Sequence, residues 1–203
     1  MTGREIKREG LHRRSSIILA CSFLLGNVFG VLFASALDSA ALKELSDYLQ
    51  NYFFLFEAGE ISQSALTVLI YHGHWILLCA LLVFLPLGVL LIPVLIGIRG
   101  FLLGFSLGCF CHLFGGTGMA SAAVLFGISA LIWVPALCVI AATAMEYSLS
   151  RCFMSRGSGQ PIPYPGRRLR EAFFMSIFML IVCVCIECWL VPLLLPTAAE
   201  IIF

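Results

Sequence analysis

Three ionisable side chains lie within long apolar runs of this chain, where charged groups are rare. They are Arg99, Glu146 and Glu187. An arginine at the centre of a bilayer costs at least about 2.5–3.5 kcal/mol on insertion scales, so Arg99 must face protein and find a partner. The candidate partners are the two glutamates and the carbonyl of Leu131, to which Pro135 cannot donate. Such a polar contact either fixes helix register, the role favoured here, or forms a gating or proton-coupling pair.

Histidines and cysteines of the chain form no recognisable metal-binding pattern. His72 and His74 are two residues apart, so on a helix they face different sides and cannot share one ion. We interpret them as polar residues near the outer interface. Cys183, Cys185 and Cys188 have no histidine close to them in the sequence. Eight of the nine cysteines lie in apolar runs, where cysteine behaves as a small hydrophobe.

Familiar catalytic motifs are also missing. The chain contains no Walker A loop, no HExxH motif and no GxSxG motif. We therefore expect no catalytic residue, no cofactor and no metal, and a protein that is not an enzyme. The net charge of +1 gives no reason to expect a nucleic-acid partner.

The elements that carry these residues are membrane-spanning helices. Of the 203 residues, 61% are apolar and only 11% are charged, against about 45–50% and about 25% in soluble domains. A helical span needs about 20 mainly apolar residues, and five such runs occur. The predicted fold class is an all-α, polytopic integral membrane protein in contact with membrane lipid. Within a single membrane domain, 1–203, the predicted spans are 16–37, 65–85, 89–114, 119–148 and 171–195.

Basic residues predict the orientation of these spans. Ten of the twelve lysines and arginines lie in 1–15 and 149–170, the second of which reads as an irregular linker. The positive-inside rule places both segments in the cytoplasm. Five spans then leave the N-terminus cytoplasmic and the C-terminus outside the bacterial plasma membrane.

Segment 38–62 differs from the rest because it carries five acidic residues and one basic residue. Apolar residues recur in it every three or four positions, which predicts an extracytoplasmic amphipathic helix with Asp38 or Ser39 as its N-cap. Its outer face is a candidate surface for a protein partner. The alternative is a helix that only buries its apolar face on the bilayer or the bundle. The residues of the candidate surface are Glu44, Asp47, Tyr48 and Tyr52.

Two sets of glycines have the spacing of close helix contacts. Gly26 and Gly30 are four apart in the first span, and Gly100, Gly104 and Gly108 repeat that spacing in the third. Small residues four apart share one helix face and let another backbone approach closely. The contacts they make are either within one chain or between the copies of a homo-oligomer.

Glycine and proline also predict where the helices break. Pro86–Gly88 marks a tight break between the second and third spans, and 115–118 a short outer loop. Pro135 is expected to kink the fourth span. Pro192 and Pro196 are expected to end the fifth, since proline cannot continue a helix.

Several stretches together resemble the stage II sporulation protein M family. One is Gly26-Asn-Val-Phe-Gly30 with the Ala36-Leu-Asp38 that follows it. Another is Asp47-Tyr-Leu-Gln-Asn-Tyr-Phe-Phe54. The last runs from the break at Pro86 into Ile98-Arg-Gly-Phe-Leu-Leu-Gly-Phe105, where Arg99 stands at a position at which the family commonly has lysine. The cysteine-rich fifth span and the proline- and arginine-rich loop have no counterpart in this resemblance.

The resemblance implies a membrane protein of endospore formation. Members of the family act during engulfment with stage II sporulation proteins D and P, which cut septal peptidoglycan, and they localise those partners without being enzymes. The expected function is therefore a scaffold at the sporulation septum. The alternative function, from another class, is a small permease or transporter subunit with Arg99 and Glu187 along a polar path.

Overall fold

The protein is all-helical in the parts described by the computed structural model, which are residues 3–59, 64–154 and 166–202. Within these ranges the backbone forms helices and short turns and contains no strand. A π-helical turn, Ala123–Gly127, precedes the fifth helix. The helices are α1 (Gly3–Ser35), α2 (Ser39–Glu57), α3 (Ala65–Leu82), α4 (Gly88–Ala122), α5 (Ile128–Met154) and α6 (Arg167–Ile202).

Five of these helices, all except α2, are long and apolar enough to cross a membrane. The predicted fold class is thereby confirmed. The segments that meet this criterion are His12–Ser35, Ala65–Leu82, Gly88–Met119, Ile128–Cys152 and Arg167–Leu190.

Several helices extend further than the sequence indicated. α6 continues past Pro192 and Pro196, so the prediction that these prolines end the helix is wrong. The predicted irregular linker, 149–170, is also too long, because α5 continues to Met154 and α6 begins at Arg167. The central part of that linker, 155–165, lies outside the described residues. Both extensions are rich in residues of good helix propensity, such as leucine, alanine, arginine and methionine.

The turns predicted from glycine and proline are present, although one is tighter than expected. At the Pro86 turn, the hydroxyl of the fully buried Ser148 donates to the carbonyl of Leu85 at 2.6 Å. At the other end of α4 the predicted loop, 115–118, is reduced to one non-helical residue, Gly115, with φ 62° and ψ −138°. Glycine adopts this left-handed φ at little cost, so helical turns can flank it directly.

α5 lies at the centre of the bundle. Of its membrane segment 56% is buried, against 17% for α1. Trp133, Leu137 and Ile140 are almost inaccessible, and small residues such as Ala141 let neighbouring helices approach. The helix runs past Pro135 without ending. α5 therefore presents a continuous face around which the other spans pack.

Glycines join α1 to α4 within the chain. A Cβ added at Gly26 would collide with the backbone at Gly97, and one at Gly30 with the backbone at Phe101. Reciprocally, a Cβ at Gly104 would collide with the backbone of Asn27. The glycine faces, Gly100 and Gly108 included, are thus filled by contacts of one chain with itself.

α2 has the predicted amphipathic arrangement. The carboxylate of Asp38 accepts a hydrogen bond from the backbone N–H of Ala41 at 2.9 Å, which caps the helix N-terminus. Leu45 and Leu49 are half-buried toward the bundle, where α2 contacts α4 and α6. Its acidic residues Glu44 and Asp47 are exposed, as expected.

Candidate functional site

A cavity of about 420 Å³ lies between the helices on the side of the bundle that α2 covers. Residues of all six α-helices line it. α4 contributes Arg99, Leu102, Leu103 and Ser106, whose spacing of three and four places them on one helix face. That face is distinct from the glycine face that packs on α1. Burial of one face against α1 therefore leaves the Arg99 face directed into the bundle.

Arg99 occupies an aromatic cage on the wall of this cavity. Its side chain is buried, with 8% of the residue exposed, and its guanidinium donates to the hydroxyl of Tyr71 at 3.0 Å. The guanidinium carbon lies 4.5 Å from the ring centroid of Trp133, 5.1 Å from that of Tyr71 and 5.8 Å from that of Trp75. The negative faces of aromatic rings attract a cation, and more strongly where water is excluded.

The pairing of Arg99 with a glutamate does not occur. Among the residues that the structure describes, neither Glu146 nor Glu187 forms an ion pair with Arg99, and no hydrogen bond joins it to the carbonyl of Leu131. The rings and one phenol take the place of the carboxylate. The sequence suggested a charged partner because a buried cation needs compensation, and here three π-systems supply part of it.

Glu187 belongs instead to a second polar group, formed with His72 and Cys183. The imidazole Nε2 of His72 lies 2.8 Å from the carboxyl Oε1 of Glu187. The thiol of Cys183, one turn earlier on α6, donates to the same oxygen at 3.7 Å. All three residues are buried, and Ser129 contacts the carboxyl group as well. These bonds satisfy a carboxyl group that would otherwise be costly inside the bundle.

Trp133 contacts both polar groups. Its ring centroid lies 5.2 Å from that of His72 and 4.5 Å from the guanidinium carbon of Arg99. The indole N–H of Trp133 and the Nδ1 of His72 are buried without a hydrogen-bond partner in the described structure. Buried polar atoms are usually bonded, so these two mark a place where the bundle leaves hydrogen-bonding capacity unused.

His72, Cys183 and Glu187 also carry the donor types of a transition-metal site. One nitrogen, one sulfur and one oxygen lie within 4.8 Å of one another. Zinc takes such ligands, although its structural sites have four. The reason for expecting no metal near Cys183, the lack of a nearby histidine, is wrong, because α3 brings His72 to it. The expectation of no metal and no cofactor itself stays a prediction.

Glu146, the third predicted polar residue, lies apart from the cavity. It forms an ion pair with His12 of α1, whose side chain is 47% exposed. The three residues therefore lie in three different environments. Arg99 occupies an aromatic cage, Glu187 belongs to a buried hydrogen-bonded group, and Glu146 contacts a partly exposed histidine.

Two residues of the predicted partner surface also line the cavity. Tyr48 and Tyr52 of α2 stand at its wall, although Tyr48 is 66% exposed. Glu44 and Asp47 are exposed and do not line it. α2 thus has two functions in the fold: its tyrosines cover the cavity, and its acidic side faces outward.

Sequence reasoning missed the aromatic cage and the role of His72. Tyr71 and Trp75 are one turn apart on α3, a spacing that places both rings on one side of a helix. This spacing could be recognised in the sequence, but it does not indicate which side chain the two rings contact. His72 was expected only as a polar residue near the outer interface, whereas the structure buries it, with 4% exposed, beside Glu187.

These features define a polytopic helical membrane protein with a partly polar cavity between its spans. The family model for stage II sporulation protein M matches residues 19–192. The chain belongs to this family, and it is a sporulation-related membrane protein. No curated protein matches the chain, and no solved structure does.

Proposed function

We propose that this protein is a non-enzymatic membrane scaffold that localises peptidoglycan-degrading proteins at the sporulation septum during engulfment. Family membership supports a sporulation-related membrane protein. By the family resemblance, the partners are stage II sporulation proteins D and P. The N-terminus lies in the cytoplasm and the C-terminus outside in this proposal, which places α2 on the side where peptidoglycan is.

The observation that carries the proposal is the acidic side of α2. Glu44 and Asp47 are exposed one turn apart, while Leu45 and Leu49 hold the helix against the bundle. A helix with a packed apolar side and a free charged side presents a rigid surface to a partner. Charge on such a surface contributes to partner selection and association rate.

The surface is tested by changing both acidic residues to lysine. We expect Glu44→Lys/Asp47→Lys to reduce co-purification of proteins D and P without reducing the amount of protein in the membrane. The matched control is Glu171→Lys, a charge reversal at another exposed site on α6. Unchanged co-purification by the double variant, or an equal loss in the control, would contradict the proposal.

The process is tested in the source bacterium, if it sporulates. Deletion of the gene is expected to leave a septum that forms but neither curves nor migrates, as seen with a membrane dye. Complementation with the wild-type gene should restore engulfment, and complementation with the double lysine variant should not. Normal engulfment in the deletion strain would overturn the engulfment role.

A second candidate function is a small permease. The cavity favours it, because Arg99 and Glu187 both line a space inside the bundle. Intramembrane charges are common at transport sites. The test is a flux assay in proteoliposomes, in which Arg99→Ala would abolish transport. Equal flux through the wild-type protein and the Arg99→Ala variant would contradict a transport function.

A further inference from the structure

The hydrogen-bonding capacity of Arg99 is largely unused by the protein. A guanidinium has five N–H donors, and in the described structure one of them has a hydrogen-bond acceptor, the hydroxyl of Tyr71. The remaining contacts of the group are with the faces of rings. Arg99 is more than nine-tenths buried and lies on the cavity wall, so its free donors are available to a molecule inside the cavity.

In the described part of the chain, no carboxylate forms an ion pair with Arg99. Among the described lining residues, Glu187 is the one acidic group, and it already accepts bonds from His72 and Cys183. The guanidinium of Arg99 contacts the ring of Trp133 and forms no ion pair with Glu187 in the described structure. A planar guanidinium with free donors matches the geometry of phosphate and carboxylate groups.

The remaining cavity wall fits hydrocarbon rather than a small polar anion. Aliphatic and aromatic side chains from most of the helices line it, and Tyr71 and Glu187 are the polar lining residues bonded to Arg99 and His72. A volume of about 420 Å³ lies in the range of sites for small organic molecules, about 300–1,000 Å³. Wholly apolar lining side chains include Phe23, Leu49, Leu102, Leu103, Phe110 and Val134.

The cavity is also accessible from the side. Tyr71 and Leu102 line it from α3 and α4, and they are 50% and 38% exposed although both lie within membrane-spanning segments. α3 and α4 make few direct contacts with each other. Lining residues that reach the outer surface at two adjacent spans indicate where a lipid molecule would enter.

We propose that the cavity binds one anionic membrane phospholipid. Arg99 and Tyr71 hold the phosphate, and the apolar walls hold the adjoining part of an acyl chain. This binding depends on neither the scaffold nor the transport proposal, since it requires only the cavity.

Native mass spectrometry tests the proposal on the full-length protein. The protein is delipidated in detergent and titrated with dioleoylphosphatidylglycerol or, in parallel, with zwitterionic dioleoylphosphatidylcholine. We expect one molecule of the anionic lipid to bind per chain in preference to the zwitterionic lipid. Arg99→Gln should weaken that binding about 10- to 100-fold, since it removes charge-assisted hydrogen bonds.

Arg151→Gln is the matched control. Arg151 also lies near a phenylalanine ring, that of Phe84, and donates to a backbone carbonyl, but it does not line the cavity. The Arg151→Gln variant should bind the anionic lipid as tightly as the wild-type protein. Equal binding by the two arginine variants, or equal binding of the two lipids by the wild type, would overturn the proposal.

A third variant guards against misfolding of Arg99→Gln. Ala130→Phe leaves Arg99 in place and fills part of the cavity, so it should also lose the anionic lipid. Retention of the lipid by a folded Ala130→Phe variant would contradict a site in this cavity. Competition with inorganic phosphate separates lipid from free anion: displacement at equal concentration would overturn a lipid site, and failure to displace supports it.

Discussion

The two faces of α4 are built in different ways. One carries Gly100, Gly104 and Gly108 and packs closely on α1, backbone against backbone. The other carries Arg99 and contributes to a cavity shared by six helices. The first contact depends on the absence of side chains and the second on particular side chains in particular places. A spacing rule is therefore enough to recognise one face, whereas the other depends on which helices become neighbours.

The two regions should also respond differently to mutation. In the glycine contact the cost of a change is steric, and it grows with the size of the added side chain. In the polar group of His72, Cys183 and Glu187, the cost comes from leaving a buried partner unsatisfied. Loss of one partner is then more harmful than loss of both.

His72→Phe should have the largest effect. It leaves Glu187 buried without its main hydrogen-bond partner, and a buried acidic group left unpaired costs about 3–5 kcal/mol. The double variant His72→Phe/Glu187→Leu should recover most of that loss, because apolar replacements of buried pairs are often neutral. Denaturant titration in mixed micelles measures the free energy of unfolding of the single and the double variant. A double variant as unstable as the sum of the two single variants would show that the polar group stabilises by packing alone.

Gly104→Ala should have an intermediate effect. The new methyl group would collide with the backbone of Asn27, and overpacking of this kind costs about 1–3 kcal/mol. Gly127→Ala is the matched control, since no atom lies within 4 Å of its added Cβ. Thermal unfolding in detergent should therefore show a loss for the first variant and no loss for the second. Equal melting temperatures would mean that α1 and α4 are less tightly packed than described.

Glu171→Gln should have the smallest effect. Its ion pair with Arg167 is exposed, with side-chain accessibilities of 56% and 84%. Exposed pairs one helical turn apart contribute about 0.3–0.5 kcal/mol, and salt screens them. The melting temperature should change slightly at low salt and not at high salt. A loss as large as that of Gly104→Ala would indicate that the start of α6 has a tertiary role.

Much of the fold could be predicted because membrane proteins follow few rules. Long apolar runs must be helical in lipid, where each backbone group needs an internal partner. The number of spans, the amphipathic helix with its Asp38 cap and the break at Pro86–Gly88 follow from such local signals. The ends of helices were less predictable. α6 passes Pro192 and Pro196, because a membrane helix tolerates proline where other groups satisfy the freed backbone carbonyls.

The candidate site could be predicted only in part. Arg99 and Glu187 were recognised because an ionisable residue in an apolar run is costly and hence informative. Their partners were not, since His72 is 115 positions from Glu187 in the sequence. Hydropathy predicts that a helix is buried in lipid or protein, but it does not predict which other helices pack against that helix.

By itself, the sequence determined that this protein is an all-helical membrane protein with five spans and an amphipathic helix, because hydropathy and spacing act within one helix at a time. Tertiary structure alone decided that Arg99 enters an aromatic cage, that Glu187 bonds to His72, and that the glycines of α1 and α4 meet within one chain. The physical reason is that burial, hydrogen bonding and cation–π contact depend on distances between helices, which only the packing of the whole bundle sets.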